Sequence, residues 1–360
     1  MAPRIFITGA TGYIGGDTLH ALYEKHPEYS YSALVRSEEK GQPAKKAFPN
    51  VRLVIGDLDN SKVLEEEAAK ADIVIHTADA SDHEGAARAI AQGLASGHSK
   101  ESPGFWLHTG GTGILCWEDS KHDRLGERSD KEYNDWTGVD ELTNLPDEAF
   151  HRNVDKIVLE AGTQRAESVR TAIVCPPTIY GKGRGPSNTR SRQAYELAKL
   201  ILTAHYIPII GSGKARWNSI HVADLADVFV LLTEAAVSSQ TPTPTQNPNP
   251  SATQAPTSPD QDLWGAKGYY LVENGEHVWA DLARLMGKKA HALGLTGSLQ
   301  ERSLEKDKAI QQAGFEAVSW GLNSRGKAER ARRVLGWKPH RAAIEDEVEG
   351  ILRDEKGRVG

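Results

Sequence analysis

The stretch ITGATGYIGG, residues 7–16, spaces Gly9, Gly12 and Gly15 evenly between an apolar run and a helical pattern. Gly9 would permit a tight turn, Gly12 would let the backbone approach a pyrophosphate, and Gly15 would let the helix pack on the strand. The helix that begins here offers free N–H groups and its positive dipole end to an anion. The pattern in this context predicts a dinucleotide-binding turn. The residues expected to contact the cofactor there are Gly9, Thr11, Gly12, Tyr13, Ile14 and Gly15.

Short apolar runs alternate with helix-compatible segments through the first half of the chain. The runs are too short and too uniformly apolar for amphipathic helices, so they predict strands. They lie at 4–8, 31–35, 51–55, 72–77, 105–109 and 169–175. The helical patterns lie at 14–25, 61–70, 84–96 and 147–166. This alternation predicts an α/β fold: a Rossmann-type doubly wound parallel sheet with a smaller C-terminal α/β substrate-binding region.

Two domains are expected, a dinucleotide-binding Rossmann domain over 1–180 and a mainly substrate-binding region over 181–360. The two are predicted to interleave, with a helix near 221–237 returning to the first domain. The segment 238–262 is rich in Pro, Thr, Asn and Gln and offers almost nothing to bury. Such a composition cannot offset its ordering entropy, so it predicts a disordered insertion.

Charge and composition exclude several classes of protein. The 360 residues carry a net charge of −6 with no basic block, which argues against general nucleic-acid binding. No apolar run is long enough for a membrane span, and the N-terminus lacks a signal-like apolar run. Cys116 and Cys175 form no CxxC pair, so neither a disulfide framework nor a metal site is expected. We therefore expect a cytoplasmic protein without membrane or nucleic-acid partners.

The end of the second strand bears on the choice of dinucleotide. Arg36 stands where an acid would bond the ribose hydroxyls of NAD. An arginine there can pair with a 2′-phosphate, whereas an acid would repel it. The sequence thus favours NADP(H), with NAD as the alternative, because Glu38 or Glu39 could still reach the ribose.

Six ordered segments of the chain resemble the extended short-chain dehydrogenase/reductase superfamily, in its NAD(P)-dependent epimerase/dehydratase group. They read TGATGYIG (8–15), GDLDN (56–60), HTADA (76–80), CPPTIYGKG (175–183), GSGKARWNSIHVADLADV (211–228) and RARRVLGWKPH (330–340). The resemblance implies a nicotinamide cofactor, and a homodimer formed through the helices at 84–96 and 147–166. It also implies further cofactor contacts from Asp57, Leu58, Thr77, Ala78, Pro176 and Thr178.

The family's chemistry uses a tyrosine and a lysine four residues apart on a helix. By resemblance Lys156 takes the lysine's place and binds ribose, while the tyrosine's place is held by Arg152. A guanidinium stays protonated, so Arg152 could hold an anion but is a poor proton donor. His151 is a candidate acid, since histidine titrates near neutral pH.

The family also uses a hydroxyl after the fifth strand. The family's serine aligns with Gly110, so the neighbouring Thr112 is expected to face the substrate, with Thr109 nearby. The predicted catalytic set is Lys156, Thr112, Arg152 and His151. Other possible acids are His108, Tyr133 and Tyr180.

Three functions fit these residues. The first is an NADP(H)-dependent oxidoreductase of atypical type, acting on a small carbonyl or alcohol substrate. The second is a non-catalytic regulator resembling the NmrA-like proteins, which would sense the cofactor and signal to a protein partner. The third is a nucleotide-sugar epimerase or dehydratase, ranked last because that chemistry usually relies on the missing tyrosine. Fold alone cannot choose among them.

Overall fold

The computed structural model describes residues 2–240 and 262–359 of the chain. The strands are β1 Arg4–Thr8, β2 Ser30–Val35, β3 Arg52–Ile55, β4 Ile73–His76, β5 Gly104–Thr109, β6 Tyr133–Asn134, β7 Val169–Cys175, β8 Thr178–Tyr180, β9 Ile207–Ile209, β10 Arg216–His221, β11 Tyr269–Leu271, β12 Glu276–Val278, β13 Glu301–Ser303 and β14 Gly326–Lys327. The helices are α1 Tyr13–Lys25, α2 Glu38–Ala47, α3 Ser61–Lys70, α4 Glu84–Gly97, α5 Trp117–Lys121, α6 Val139–Thr143, α7 Arg152–Gln164, α8 Gln193–Ala204, α9 Val222–Gln240, α10 Trp279–Ala292, α11 Lys306–Ala313, α12 Arg330–Val334 and α13 Ile344–Val359. Short 3-10 helices lie at Thr112–Cys116, Gly265–Lys267 and Phe315–Gly321.

A seven-stranded sheet forms the centre of the described chain, in the order β11-β7-β5-β4-β1-β2-β3. Every pairing within this sheet is parallel. The predicted Rossmann-type α/β fold is confirmed. The order reverses direction between β1 and β4, and ligands of such sheets bind outside the carboxyl ends of the strands at that point.

The central strands are buried on both faces, as a parallel sheet covered by helices requires. All four residues of β4 and all six of β5 are buried. One hydrophobic core surrounds this sheet and includes α9, which packs on α1. A second core joins α8, α10 and α13 with the smaller strands. The second core is the α/β region that faces the carboxyl edge of the large sheet through the cavity described below.

Several elements differ from the sequence expectations. The edge strand β11 was not predicted, because three residues after a long polar segment carry no period-two signal. Helix α2 was also missed, since Pro43 lies inside it. Of the predicted insertion 238–262, residues 238–240 belong to α9 and 241–261 lie outside the described residues.

Helix α7 begins at Arg152 rather than at 147. The residue before it, His151, has a left-handed backbone with φ 69°, which breaks the helical path at that point. Among the described residues, no helix is both long and apolar enough to cross a membrane.

Candidate cofactor and substrate site

The glycine-rich turn has the geometry that a dinucleotide site needs. Gly9 has φ 79°, and a Cβ there would lie 2.4 Å from Thr77 Oγ1. A Cβ on Gly15 would lie 2.3 Å from the same oxygen and 2.4 Å from the Gly9 carbonyl. A Cβ on Gly12 would meet little but the Gly9 carbonyl, at 3.1 Å, so its other side is open to a ligand. The turn therefore fits a pyrophosphate at the start of α1, where N–H groups are free.

A buried hydrogen-bond network fixes the loop after β4 against this turn. Thr8 Oγ1 lies 2.6 Å from His76 Nδ1 and accepts the backbone N–H groups of Thr77 and Ala78, at 3.2 and 3.3 Å. Thr77 Oγ1 donates to the Thr8 carbonyl at 2.8 Å. Burial lowers the pKa of His76 to about 3, so this imidazole stays neutral. Thr77 and Ala78 are thus held beside the glycine turn, where the sequence placed them.

The remaining residues expected at the nucleotide lie around the same edge. Tyr13 is buried and donates its hydroxyl to the Gly181 carbonyl at 2.6 Å, so it locks the turn to the chain after β8. Thr11 and Ile14 are half-buried. Arg36 is exposed at the end of β2, free to meet a phosphate from solvent.

The turn after β3 has its own internal structure. The Asp57 carboxylate accepts the N–H groups of Asp59 and Asn60 at 3.1 Å each. Leu58 is half-buried and packs against the first core. The exposed Asp57 side chain is therefore already partly occupied by hydrogen bonds that shape the turn.

A cavity of about 580 Å³ lies between the sheet and the second core. Its inner wall is formed by loops that follow β4, β5 and β7, at Asp82, Gly111–Gly113 and Pro176–Pro177. Pro176 also accepts the Thr112 backbone N–H at 3.0 Å, which ties two of these loops together. Thr178 is buried just beyond, and its hydroxyl has no hydrogen-bond partner among the described residues. The cavity thus lies at the carboxyl edge of the sheet, where ligands of such folds bind.

His151 is the titratable side chain at the centre of the inner wall. Its Nδ1 lies 2.7 Å from Asp82 Oδ1, and its side chain is 11 % exposed. The opposite nitrogen, Nε2, faces Gly111 and Gly113, where added Cβ atoms would lie 3.2 and 3.3 Å away. The His151 hydrogen bond holds the pKa of Asp82 below its usual range. An imidazole held in this way by a carboxylate is suited to proton transfer.

The predicted catalytic pair, Arg152 and Lys156, lies off the cavity wall in this structure. Arg152 is buried away from the cavity and donates to the Thr143 carbonyl at 2.8 Å. The Lys156 amine pairs with the Asp147 carboxylate at 2.9 Å and is not on the cavity wall. His151, which precedes α7, is on that wall. A ribose contact from Lys156 would require its pair with Asp147 to open.

Asp155 occupies the position one turn after His151. It is 1 % exposed, and Oδ2 accepts the Tyr269 hydroxyl at 2.8 Å. Oδ1 has no partner among the described residues and lies 3.5 Å from where a Cβ on Gly110 would be. Burial raises the pKa of Asp155 to about 6. A buried carboxylate thus lies one turn after His151, beside the predicted Lys156.

The other candidate hydroxyls and acids differ in whether they line the cavity. Thr112 lines the cavity, but its hydroxyl is buried from it and has no partner among the described residues. Thr109 is buried beneath the loop and is not part of the cavity wall. His108 is fully buried in β5, where burial lowers its pKa well below the usual value.

Neither candidate phenol reaches the cavity. Tyr180 donates to the Ala342 carbonyl at 2.7 Å, and Tyr133 accepts the Trp117 indole N–H at 3.1 Å. Among the described residues that line the cavity there is no tyrosine. Sequence reasoning also missed Asp82, whose only signal is its place just after the HTADA segment.

One group of possible metal ligands lies elsewhere, at Asp224, Asp227 and His340. The Asp224 carboxylate accepts the backbone N–H groups of His340 and Arg341, at 3.2 and 3.1 Å. Asp224 thus anchors the C-terminal segment to α9, which accounts for its burial without an ion.

The fold and the glycine turn define a dinucleotide-binding protein of the Rossmann type. Residues 1–95 match the NmrA-like family, and residues 149–245 match the NAD dependent epimerase/dehydratase family. The chain is 38% identical over 361 residues to a protein named oxidase ucsJ from Acremonium sp., covering 100% of this chain and 99% of that protein.

More distant similarities agree on the fold. A 3-beta-hydroxysteroid dehydrogenase from Mycolicibacterium neoaurum is 25% identical over 242 residues, 64% of this chain and 61% of that protein. The solved structure of DesIV, a dTDP-glucose 4,6-dehydratase from Streptomyces venezuelae, superimposes with a TM-score of 0.64 at 15% identity, covering 97% of this chain and 96% of that one. The chain belongs to the family of the Acremonium protein.

Proposed function

We propose that the protein is an NADP(H)-dependent oxidoreductase that interconverts a carbonyl compound and its alcohol in the cavity beside His151. One observation carries the proposal: a carboxylate-bound imidazole, His151 on Asp82, opens on a cavity at the carboxyl edge of the sheet. That edge also bears the glycine turn. The names of the relatives, an oxidase and a hydroxysteroid dehydrogenase, support the same class of reaction.

The chemistry assigns a separate task to each residue. A bound nicotinamide supplies or accepts the hydride at the substrate carbon. During carbonyl reduction, His151 as imidazolium gives its Nε2 proton to the substrate oxygen, and it takes the proton back in the reverse direction. Asp82 keeps the ring oriented and stabilises its charged form. The buried Thr112 hydroxyl lies behind this wall and would need to turn toward the cavity to hold the same oxygen.

Arg36 supports the choice of NADP(H). Its guanidinium is exposed at the end of β2, where the 2′-phosphate of the adenosine ribose lies in Rossmann sites. Bidentate pairing with that phosphate would favour the phosphorylated cofactor. The neighbouring Ser37 is committed to capping α2, where it accepts the Lys40 N–H at 3.2 Å.

A second candidate function has its own support. The first 95 residues match the NmrA-like family, and the described cavity wall carries no phenol. These two observations favour a protein that binds the cofactor and reports its redox state to a protein partner, without turnover.

Turnover assays separate the two candidates. The purified protein is mixed with NADPH and a panel of ketones and aldehydes, and the loss of reduced-nicotinamide absorbance is followed for the native chain and for His151→Gln. Turnover that disappears in His151→Gln supports the oxidoreductase. Tight cofactor binding without turnover, with different affinities for NADP⁺ and NADPH, supports the regulator, because only differential affinity can shift a conformational equilibrium.

A further inference from the structure

The cavity beside His151 carries exposed apolar side chains together with its polar ones. Within residues 2–240 and 262–359, four large apolar side chains are exposed. Two of them stand at this cavity: Phe150 is 45 % exposed and Phe315 is 60 % exposed. Their ring centroids are 5.7 Å apart, although one precedes α7 and the other begins the last 3-10 helix. Exposed apolar side chains that converge from distant parts of a chain mark a ligand-binding surface.

The walls behind these two rings are also aromatic and aliphatic. Trp117 and Trp217 line the cavity, together with Val318 and Leu322. The Phe150 ring lies 4.0 Å from the His151 ring, so the apolar surface continues to the proton donor. Flat rings on several sides favour a flat, apolar ligand, because they bury large area and stack on π-systems.

The charges of the cavity do not suit an anionic ligand. Three carboxylates line it, Asp82, Glu148 and Glu316, against two full cations, Arg192 and Lys306. Arg192 is already engaged by Glu316, with Nε 3.0 Å from Oε1. A nucleotide sugar would bring a doubly charged diphosphate beside these carboxylates, where like charges repel, and Arg192 is already paired.

Other polar side chains line the cavity as well, among them Ser120, Gln193 and Ser319. At the inner wall, His151 Nε2 faces Gly111 and Gly113. One substrate oxygen placed beside Nε2 would accept its hydrogen bond, with the rest of the molecule extending toward Phe150 and Phe315. The volume of about 580 Å³ suits a body of several fused rings and greatly exceeds that of a small ketone.

We propose that the substrate is an uncharged, multi-ring apolar compound with one carbonyl or alcohol group at its buried end, and that nucleotide sugars do not enter this cavity. The proposal rests on the proposed oxidoreductase function for its reacting group. Its recognition argument stands on the cavity alone, so binding can be measured separately from turnover.

The test is binding of three probes to the full chain saturated with NADP⁺: fluorenone, cyclohexanone and UDP-glucose, each followed by calorimetry. Fluorenone should bind at least about tenfold more tightly than cyclohexanone, because its two extra rings cover the aromatic walls. UDP-glucose should show no binding. Stoichiometric UDP-glucose binding, or no fluorenone binding, would overturn the proposal.

Two variants locate the binding surface. Phe150→Ala and Phe315→Ala should each weaken fluorenone binding, and the double variant should weaken it by about tenfold or more. Both side chains are exposed, so the fold should not depend on them. Val359→Ala, another exposed apolar residue at the far end of α13, is the matched control and should bind as the native chain does. Equal fluorenone affinity in all these proteins would place the ligand elsewhere and refute the assignment. Fluorenone binding that depends on both phenylalanines but yields no alcohol with NADPH would leave the cavity assignment standing and defeat the oxidoreductase.

Discussion

His151 and Asp82 form a hydrogen-bonded pair of 2.7 Å between the start of α7 and the loop after β4. The backbone of His151 is unusual, because its φ is 69°. A residue other than glycine rarely adopts this conformation, and such strain is concentrated at functional sites. The left-handed turn aims the imidazole toward Gly111 instead of along the helix.

Asp82→Asn should slow carbonyl reduction by at least about tenfold, because the uncharged amide no longer stabilises the imidazolium. The measurement is kcat for carbonyl reduction with NADPH in the native chain and in the variant. Glu28→Gln is the control, since Glu28 makes a similar contact, 3.2 Å from His26 Nδ1, remote from the cavity. An unchanged kcat in Asp82→Asn would contradict the role of this pair.

Arg36→Ala should raise the Kd for NADPH by about tenfold while leaving that for NADH nearly unchanged, since only NADPH carries the 2′-phosphate. Titration calorimetry with both cofactors measures the ratio. Arg353→Ala removes an arginine of comparable exposure on α13 and should change neither value. An equal loss of affinity for NADPH and NADH would mean that Arg36 does not bind the 2′-phosphate.

Gly15→Ala should destabilise the protein by about 1–3 kcal/mol and weaken cofactor binding, because a Cβ would lie 2.4 Å from the Gly9 carbonyl. That carbonyl belongs to the turn backbone and cannot move without reshaping the site. Gly357→Ala in α13 is the matched control, with nothing within 4 Å of its Cβ, and should be neutral or slightly stabilising. Denaturant unfolding of both variants measures the difference. Equal stability of the two would show that the turn tolerates a side chain.

Asp155 predicts a pH dependence of stability. Burial raises its folded pKa to about 6 from the ordinary 3.8, so the native state holds this proton more tightly than the unfolded chain. The contribution of this proton to the free energy of unfolding is therefore fully present below about pH 4. It is lost as pH rises to about 6. Asparagine does not ionise, so Asp155→Asn has no such loss. Between these pH values the free energy of unfolding of the variant should therefore rise relative to that of the native chain by on the order of 3 kcal/mol.

Urea unfolding at about pH 4 and about pH 7 measures this change, and only the difference between the two proteins is compared. Other carboxylates, such as Asp72 beside Arg4, have lowered pKa values and the opposite slope, but they are common to both proteins. A constant difference across pH would show that Asp155 titrates normally in the folded chain.

The sequence predicted the sheet well because its signal is local. The apolar run of β1 and its glycine turn carry the strand and the ligand site within a dozen residues, and both boundaries of β1 and α3 agree with the structure. The outer wall of the cavity could not be found this way. Phe315 and Trp217 are distant in sequence and have no shared pattern, and only the packing of the second core brings them to one cleft.

The sequence left the position of the catalytic pair open for a different reason. A spacing of four fits Arg152 with Lys156 and His151 with Asp155 equally well, and the resemblance pointed to the pair that contains the lysine. The choice depends on where α7 begins and how it is rotated. That is set by the left-handed His151, and sequence periodicity gives no sign of this conformation.

His151, just before α7, and Arg152, its first residue, should consequently respond differently to substitution. His151→Gln should lower kcat for carbonyl reduction by about a hundredfold or more, with little change in cofactor affinity, because the proton donor is lost while the glycine turn is intact. Arg152→Met should leave kcat within about twofold. Its guanidinium makes one hydrogen bond, to the Thr143 carbonyl, and two of its buried nitrogens lack partners among the described residues. Replacing such a buried charge with an apolar chain of similar length is often neutral or stabilising, so the Tm should not fall by more than a few degrees. If Arg152→Met abolished turnover and His151→Gln did not, the register expected from the sequence would be the functional one, and α7 would have to rotate when the cofactor binds.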